Sequence, residues 1–159
     1  MTVSRLSLLV HKPGGMTAAE ASAAAHARLR NMQPEAIASI DTMIARMAAL
    51  GQPLAQGPDR AALDELYVLA NAVFGTAGLF ELDAVGEVAY SLCELIDRLR
   101  ASGVWHPLAV QVHLNGLALA RGTGGGAARA VALGLRRVTG SIGCASEAAT
   151  SPAGRVPGG

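Results

Sequence analysis

The stretch Leu69–Asp83, LANAVFGTAGLFELD, decides how this chain is read. It carries a helical apolar period, yet it holds glycine at 75 and again at 78. Each interior glycine costs a helix about 1 kcal/mol relative to alanine. Around it, Leu63, Leu66, Ala70, Val73, Ala77 and Phe80 alternate spacings of three and four residues, which predicts one apolar helix face. A helix turns about 100° per residue, so Asn71 points about 130° from that face and Gly75 about 170°. Gly78 lies about 110° away on the same side, and Phe74 about 70° away, at the border. The glycines therefore flatten the outward face instead of drawing two core helices together. Bare backbone one turn past an asparagine admits the surface of a partner. Drift in an alanine- and glycine-rich chain, or cover by the chain's own termini, is the plainer alternative.

The rest of the chain extends the same pattern. "TAAE" at 17–20 is a capping box opening a first helix over about 18–31. Pro34 starts a second helix or kinks a longer one, with Ile37, Ile40, Ile44 and Met47 on one face, and Gly51 and Pro53 end it. Asp59 caps the third helix, which ends near Phe80. Asp83 caps a fourth, where Val85, Val88, Leu92, Leu95 and Leu99 repeat the period as far as Ser102-Gly103. Pro107 opens a broadly apolar fifth helix to about Arg121. "GTGGG" at 122–126 reads as a flexible joint, 127–138 as a short sixth helix, and the Gly/Ser/Ala/Pro-rich remainder as a disordered tail. Only residues 3–10 have the character of an extended segment. The expectation is an all-α antiparallel bundle over 16–138, between an N-terminal extended segment, 1–15, and a tail, 139–159.

Composition agrees. Of 159 residues 51% are hydrophobic but only 3% aromatic, so the core must be aliphatic, a bias away from strands. The net charge of +1 comes without a basic block, which argues against nucleic acid. The longest charge-free run, "GVWHPLAVQVHLNGLALA", carries histidines and amides and reads as a buried helix, not a membrane span. Leu6–Val10 is too short for the apolar part of a secretory signal. Two cysteines, Cys93 in an apolar run and Cys144 in the tail, support no disulfide framework, and a reduced cytoplasmic setting fits.

Around the opening stretch, "NAVFGTAGLFEL" resembles the helix motif of histidine phosphotransfer (HPt) domains, H-x-x-K-G-x-A-x-x-x-G-L. Gly75, Ala77 and Leu82 match it, and "SLCELID" resembles the bundle helix that follows. The motif's second glycine falls at Glu81, its phosphoacceptor histidine at Asn71 and its lysine at Phe74. An amide nitrogen is a poor nucleophile, and Phe74 offers no charge to a phosphoryl group. The resemblance thus implies a degenerate HPt domain: an HPt-like four-helix bundle with an extra N-terminal helix and a flexible tail. It would be a non-enzymatic adaptor in two-component or chemotaxis signalling, docking a receiver domain or histidine kinase without accepting phosphate. The expected docking face is Val68, Asn71, Phe74, Gly75 and Gly78. Residues 8–138 are also similar to the CheE family of small alphaproteobacterial chemotaxis proteins. The alternative is a structural α-bundle that self-associates, as a homodimer, through the glycine face.

Other chemistry is poorly served. His26, a conceivable displaced phosphoacceptor, has Arg30 where the motif has glycine. His106 precedes a proline, and His113 lies in the apolar fifth helix, where a structural histidine is the commoner outcome. No two histidines lie three or four apart, so no metal or cofactor is expected. "GTGGGAARA" lacks the Gly-Lys-Ser/Thr ending of a P-loop. Ser91 and Ser102 have no evident base, and no carboxylate pair stands out as a dyad. Glu94 and Arg98 are placed for an ion pair one turn apart. Trp105 reads as a packing anchor or an interface residue.

Overall fold

The computed structural model describes residues 16–123 and 125–148. They form five helices and no strand: α1 (Ala18–Gln56), α2 (Arg60–Leu79), α3 (Asp83–Ser102), α4 (Pro107–Thr123) and α5 (Gly125–Ala148). The expected all-α class holds. The chain divides into two units, Met1–Glu35 and Ala36–Gly159, with α1 running across the boundary.

In the first unit, the capping box forms as expected. The Glu20 N–H donates to Thr17 Oγ1 at 3.2 Å, and the Thr17 N–H donates to Glu20 Oε2 at 2.7 Å. The backbone bond from Thr17 holds the Glu20 carboxyl below the usual range. The helix expected to end near 31 does not end there: Pro34 lies within the single longer helix α1, the second of its two expected readings, on an exposed side.

In the second unit, α1 passes through Gly51 and Pro53, the residues expected to end it, and stops at Gln56 before Gly57-Pro58. The reason is burial. Gly51 faces α4 so closely that a Cβ there would lie 2.8 Å from Leu114 Cδ1. It is a helix-contact glycine, not a terminator. Pro53 lies on the exposed side, while Leu50 and Leu54 continue the stripe of Ile40 and Met47 into the core.

The predicted stripe of α2 is the buried one: Leu63, Leu66, Ala70, Val73 and Ala77 all lie in the core. Asp59 caps the helix, its Oδ1 accepting from the N–H groups of Ala61 at 2.9 Å and Ala62 at 3.1 Å. Asp83 does not cap α3: it is the first helical residue, and Leu82 at the cap position makes no side-chain bond. Asp83 still favours the helix start through its charge. The turn between α2 and α3 closes by a Leu82 N–H bond to Ala77 O at 3.1 Å, with Glu81 at φ 58. That geometry is a Schellman closure, whose left-handed residue is usually glycine.

Cross-helix pairs fix the directions. Phe74 meets Tyr90, Ala77 approaches Gly86, and Asp64 bonds Arg100, so α2 and α3 are antiparallel. Asp41 with Arg121 and Gly51 with Leu114 set α1 antiparallel to α4. Gly116 with Leu135 and His113 with Thr139 do the same for α4 and α5. α3 is the central helix, packing on α2, α4 and α5 and burying ten residues. The expected Glu94–Arg98 pair does not form among the described residues; Arg100 instead bridges Asp64 and Asp97. Trp105 packs partly buried against the core, as expected of an anchor.

α5 runs ten residues beyond the expected end at 138. The small and polar residues that suggested a tail hide a continued stripe, in which Val138, buried Thr139 and Ile142 follow Leu135 at helical spacing. α4 likewise continues to Thr123, and α5 starts at Gly125 with φ 57, so most of the expected joint is helical. The expected extended segment 1–15 and the last part of the expected tail, 149–159, lie outside the described residues. No helix among the described residues is long and apolar enough to cross a membrane.

Candidate functional site: the outer face of α2

Every residue singled out on α2 lies on its outward side. Val68 is 65% exposed and Phe74 44%, and Asn71, Gly75 and Gly78 are exposed as well. A Cβ built on Gly75 or on Gly78 would meet nothing within 4 Å. No described part of the chain covers these glycines. Among the described residues, no hydrogen bond ties down the Asn71 amide.

The face has a property that the helical period alone did not reveal. From Leu66 to Phe80 the sequence contains no charged residue. Leu66, Ala70, Val73, Ala77 and Phe80 of that run are buried, but Val68, Asn71, Ala72, Phe74, Gly75 and Gly78 face solvent, as does Leu79, 62% exposed. Solvated helix faces ordinarily carry charge. Elsewhere this molecule obeys that rule: Arg46 forks onto Glu65 at 2.6 and 2.9 Å, and Arg121 bonds Asp41. The pairing keeps the Glu65 carboxyl below its usual range and raises Arg46.

Phe74 marks the edge of the face. Its ring lies 5.4 Å from that of Tyr90 at 47°, a tilted aromatic pair. Beside it, Phe74, Gly78, Asp83, Gly86, Glu87 and Arg129 line a cavity of about 260 Å³. Gly86 faces Ala77 here, where a Cβ would make ordinary contact with Ala77 Cβ at 3.5 Å. The site is thus an apolar, glycine-floored strip with one uncommitted amide, bordered by two carboxylates and one guanidinium. It holds no nucleophile and no imidazole.

The described histidines lie elsewhere. His26 is exposed on α1 with Nδ1–H donating to Ser22 O at 2.8 Å, and Arg30 one turn on is exposed. His106 is half-buried at the start of α4, and His11 lies outside the described residues. His113 is wholly buried, which fits the structural role expected of it. Sequence reasoning missed its partners. Ser91 does have a base beside it: Ser91 Oγ lies 3.1 Å from His113 Nε2, and Thr139 Oγ1 lies 2.9 Å from the same atom. Residues 91, 113 and 139 come from three helices, and no local spacing could connect them. The serine–histidine contact is sealed, since neither residue is exposed and neither lines the cavities on α2, α3 or α5. Cys93 is buried too, and burial pushes its thiol up to about 11, which makes it unreactive near neutral pH. The side chain of Cys144 lies outside the described residues. Among the described residues no group of histidines, cysteines and carboxylates is placed to hold a metal.

In comparisons with known proteins, no family model, no curated protein and no solved structure matches this chain.

Proposed function

We propose that this chain is a non-catalytic docking module of HPt-like design, which binds a receiver domain or histidine kinase of a two-component system without taking phosphate. One observation carries the reading: beyond Glu65 the solvent-facing side of α2 is uncharged, is floored by two glycines that no described residue covers, and has Asn71 where an HPt domain would carry its phosphoacceptor. A helix gives up stability to keep Gly75 and Gly78, and nothing within the described chain uses the space they leave. A partner's surface accounts for that loss.

The turn after α2 supports the same reading. The second glycine of the HPt motif falls at position 81, and Glu81 adopts the left-handed backbone that glycine prefers. The backbone is thus shaped for a motif glycine that the sequence has replaced. With no imidazole at 71 and no cation at 74, the face offers recognition without group transfer. Such a module competes with true phosphotransfer proteins for a shared regulator, or holds that regulator.

Gly75→Arg tests the proposal. It places a long charged side chain in the open space while leaving the core untouched. Binding to a receiver or kinase, measured by calorimetry or pull-down with candidates from the same organism, is expected to fall at least about 100-fold while the helical circular-dichroism signal is kept. Undiminished binding by the folded variant sinks the proposal. The exposed apolar residues Val68, Phe74 and Leu79 would also suit a second copy of the chain. If the wild type is a dimer in solution and Gly75→Arg a monomer, self-association is the function of the face.

A further inference from the structure

His113 is where three helices meet. Its ring belongs to α4, and its Nε2 lies within hydrogen-bond reach of Ser91 on α3 and Thr139 on α5. The two hydroxyls also lie 3.0 Å from each other, closing a triangle, and Thr139 Oγ1 reaches Leu135 O at 3.2 Å. All three residues are buried. The tautomer follows from the remaining contact. His113 Nδ1 lies 2.7 Å from Ala109 O, a carbonyl that can only accept, so Nδ1 carries the proton. Nε2 is then a lone pair that takes an O–H from Ser91 or Thr139.

Among the described residues the buried side chains of α5 are Ala128, Ala132, Leu135 and Thr139, with Val131, Val138 and Ile142 partly buried beside them, against the larger aliphatic side chains of α3. To these apolar contacts the polar triangle adds a tie that joins α5 to α3 and α4 at once.

A proton on Nε2 removes the lone pair and turns the ring into a second donor. The hydroxyls can rotate to accept, but a full positive charge then lies buried without a counter-charge. On α3, Glu87 and Glu94 stand one turn to either side of Ser91, half-buried, and the Cys93 thiol stays neutral. α4 has no charged residue within a turn of His113. On α5, Arg136 and Arg137 are exposed. Among the described residues none of these groups bonds to the ring. Cationic neighbours such as the arginines would add to the cost of the charge.

We propose that Ser91, His113 and Thr139 form a proton-operated latch that holds α5 against α3 and α4 at neutral pH and releases it on acidification. Burial holds the imidazole below its ordinary value of 6.5 while α5 is docked. Once α5 leaves, the ring meets water and binds protons normally. The docked state thus has its full advantage above about pH 6.5 and loses it as pH falls from there towards the lowered docked value.

The test is amide hydrogen exchange on the full chain at pH 7.5 and 5.0, read as protection factors so that intrinsic exchange chemistry cancels. Protection across 128–142 is expected to drop several-fold relative to α2, with a ceiling of about 30-fold set by an ordinary imidazole over that interval. His113→Asn, which keeps polar atoms but cannot titrate, is expected to abolish the differential drop, and His106→Asn to preserve it. An equal loss in α2 and α5, or a differential drop that survives in His113→Asn, overturns the latch. If His113→Asn does not fold, the wild type decides alone by an NMR titration of the His113 ring. Its protonation must track the loss of α5 protection, and a ring that titrates with α5 still protected overturns the proposal.

Discussion

The outer face of α2 and the buried junction of α3, α4 and α5 are mirror images in chemistry. One puts uncharged, apolar and bare surface where water should favour charge; the other puts an imidazole and two hydroxyls where packing should favour hydrocarbon. The two departures have opposite energetic logic. On α2, nothing among the described residues uses the space left by Gly75 and Gly78, so their cost in helix propensity is not offset there. At the junction every polar group finds a partner, so the cost of burying them is offset locally. The first departure is the one that the proposed partner surface would explain, and the second serves architecture. Gly51 and Gly116 make the same distinction among glycines. A Cβ on Gly116 would lie 2.5 Å from Leu135 Cδ1, so that glycine serves packing as the α2 glycines do not.

Substitutions can break this contrast, beginning with the largest effect. Thr139→Val removes a hydroxyl from the closed triangle and leaves apolar shape nearly unchanged. It is expected to destabilise by about 1–3 kcal/mol in urea unfolding, because Ser91 and His113 then share one hydroxyl fewer in a dry site. A neutral outcome would mean that the triangle is incidental. Glu81→Gly should act in the other direction, stabilising by about 1 kcal/mol, since a non-glycine residue at φ 58 carries strain that glycine lacks. Thermal unfolding reads this directly, and no gain would mean that the Glu81 side chain repays the strain elsewhere. The smallest effect is the sharpest for function. Gly75→Ala adds one methyl into open space within a helix, so it should stabilise by about 0.5–1 kcal/mol. If the face serves a partner, the same change weakens binding while it strengthens the fold. A variant both more stable and equally able to bind would leave the glycines without a purpose.

Much of the fold was legible because helix periodicity and caps are local. The α2 stripe from Leu63 to Ala77, the capping box at Thr17 and Glu20 and the cap at Asp59 all involve residues within a few positions of one another. The failures share a cause. Gly51 read as a stop signal and proved to be a contact with Leu114; Thr139 and Ile142 read as tail and proved to be a buried residue and one packed partly buried against the core. In each case the deciding neighbour lies on another helix. Asp83 missed its cap role by one residue, since the chain needed Leu82 to close the preceding turn.

By itself the sequence determined the helical class, the inward and outward sides of α2 and the absence of an imidazole at position 71, because these depend on residue identity and a 100° step. Tertiary structure alone decided that no other described helix covers Gly75 and Gly78, that Gly51 and Gly116 are packed against a neighbour, and that Ser91, His113 and Thr139 meet. Those outcomes rest on which helices become neighbours, and that choice is made by the burial of whole faces, not by any short stretch of chain.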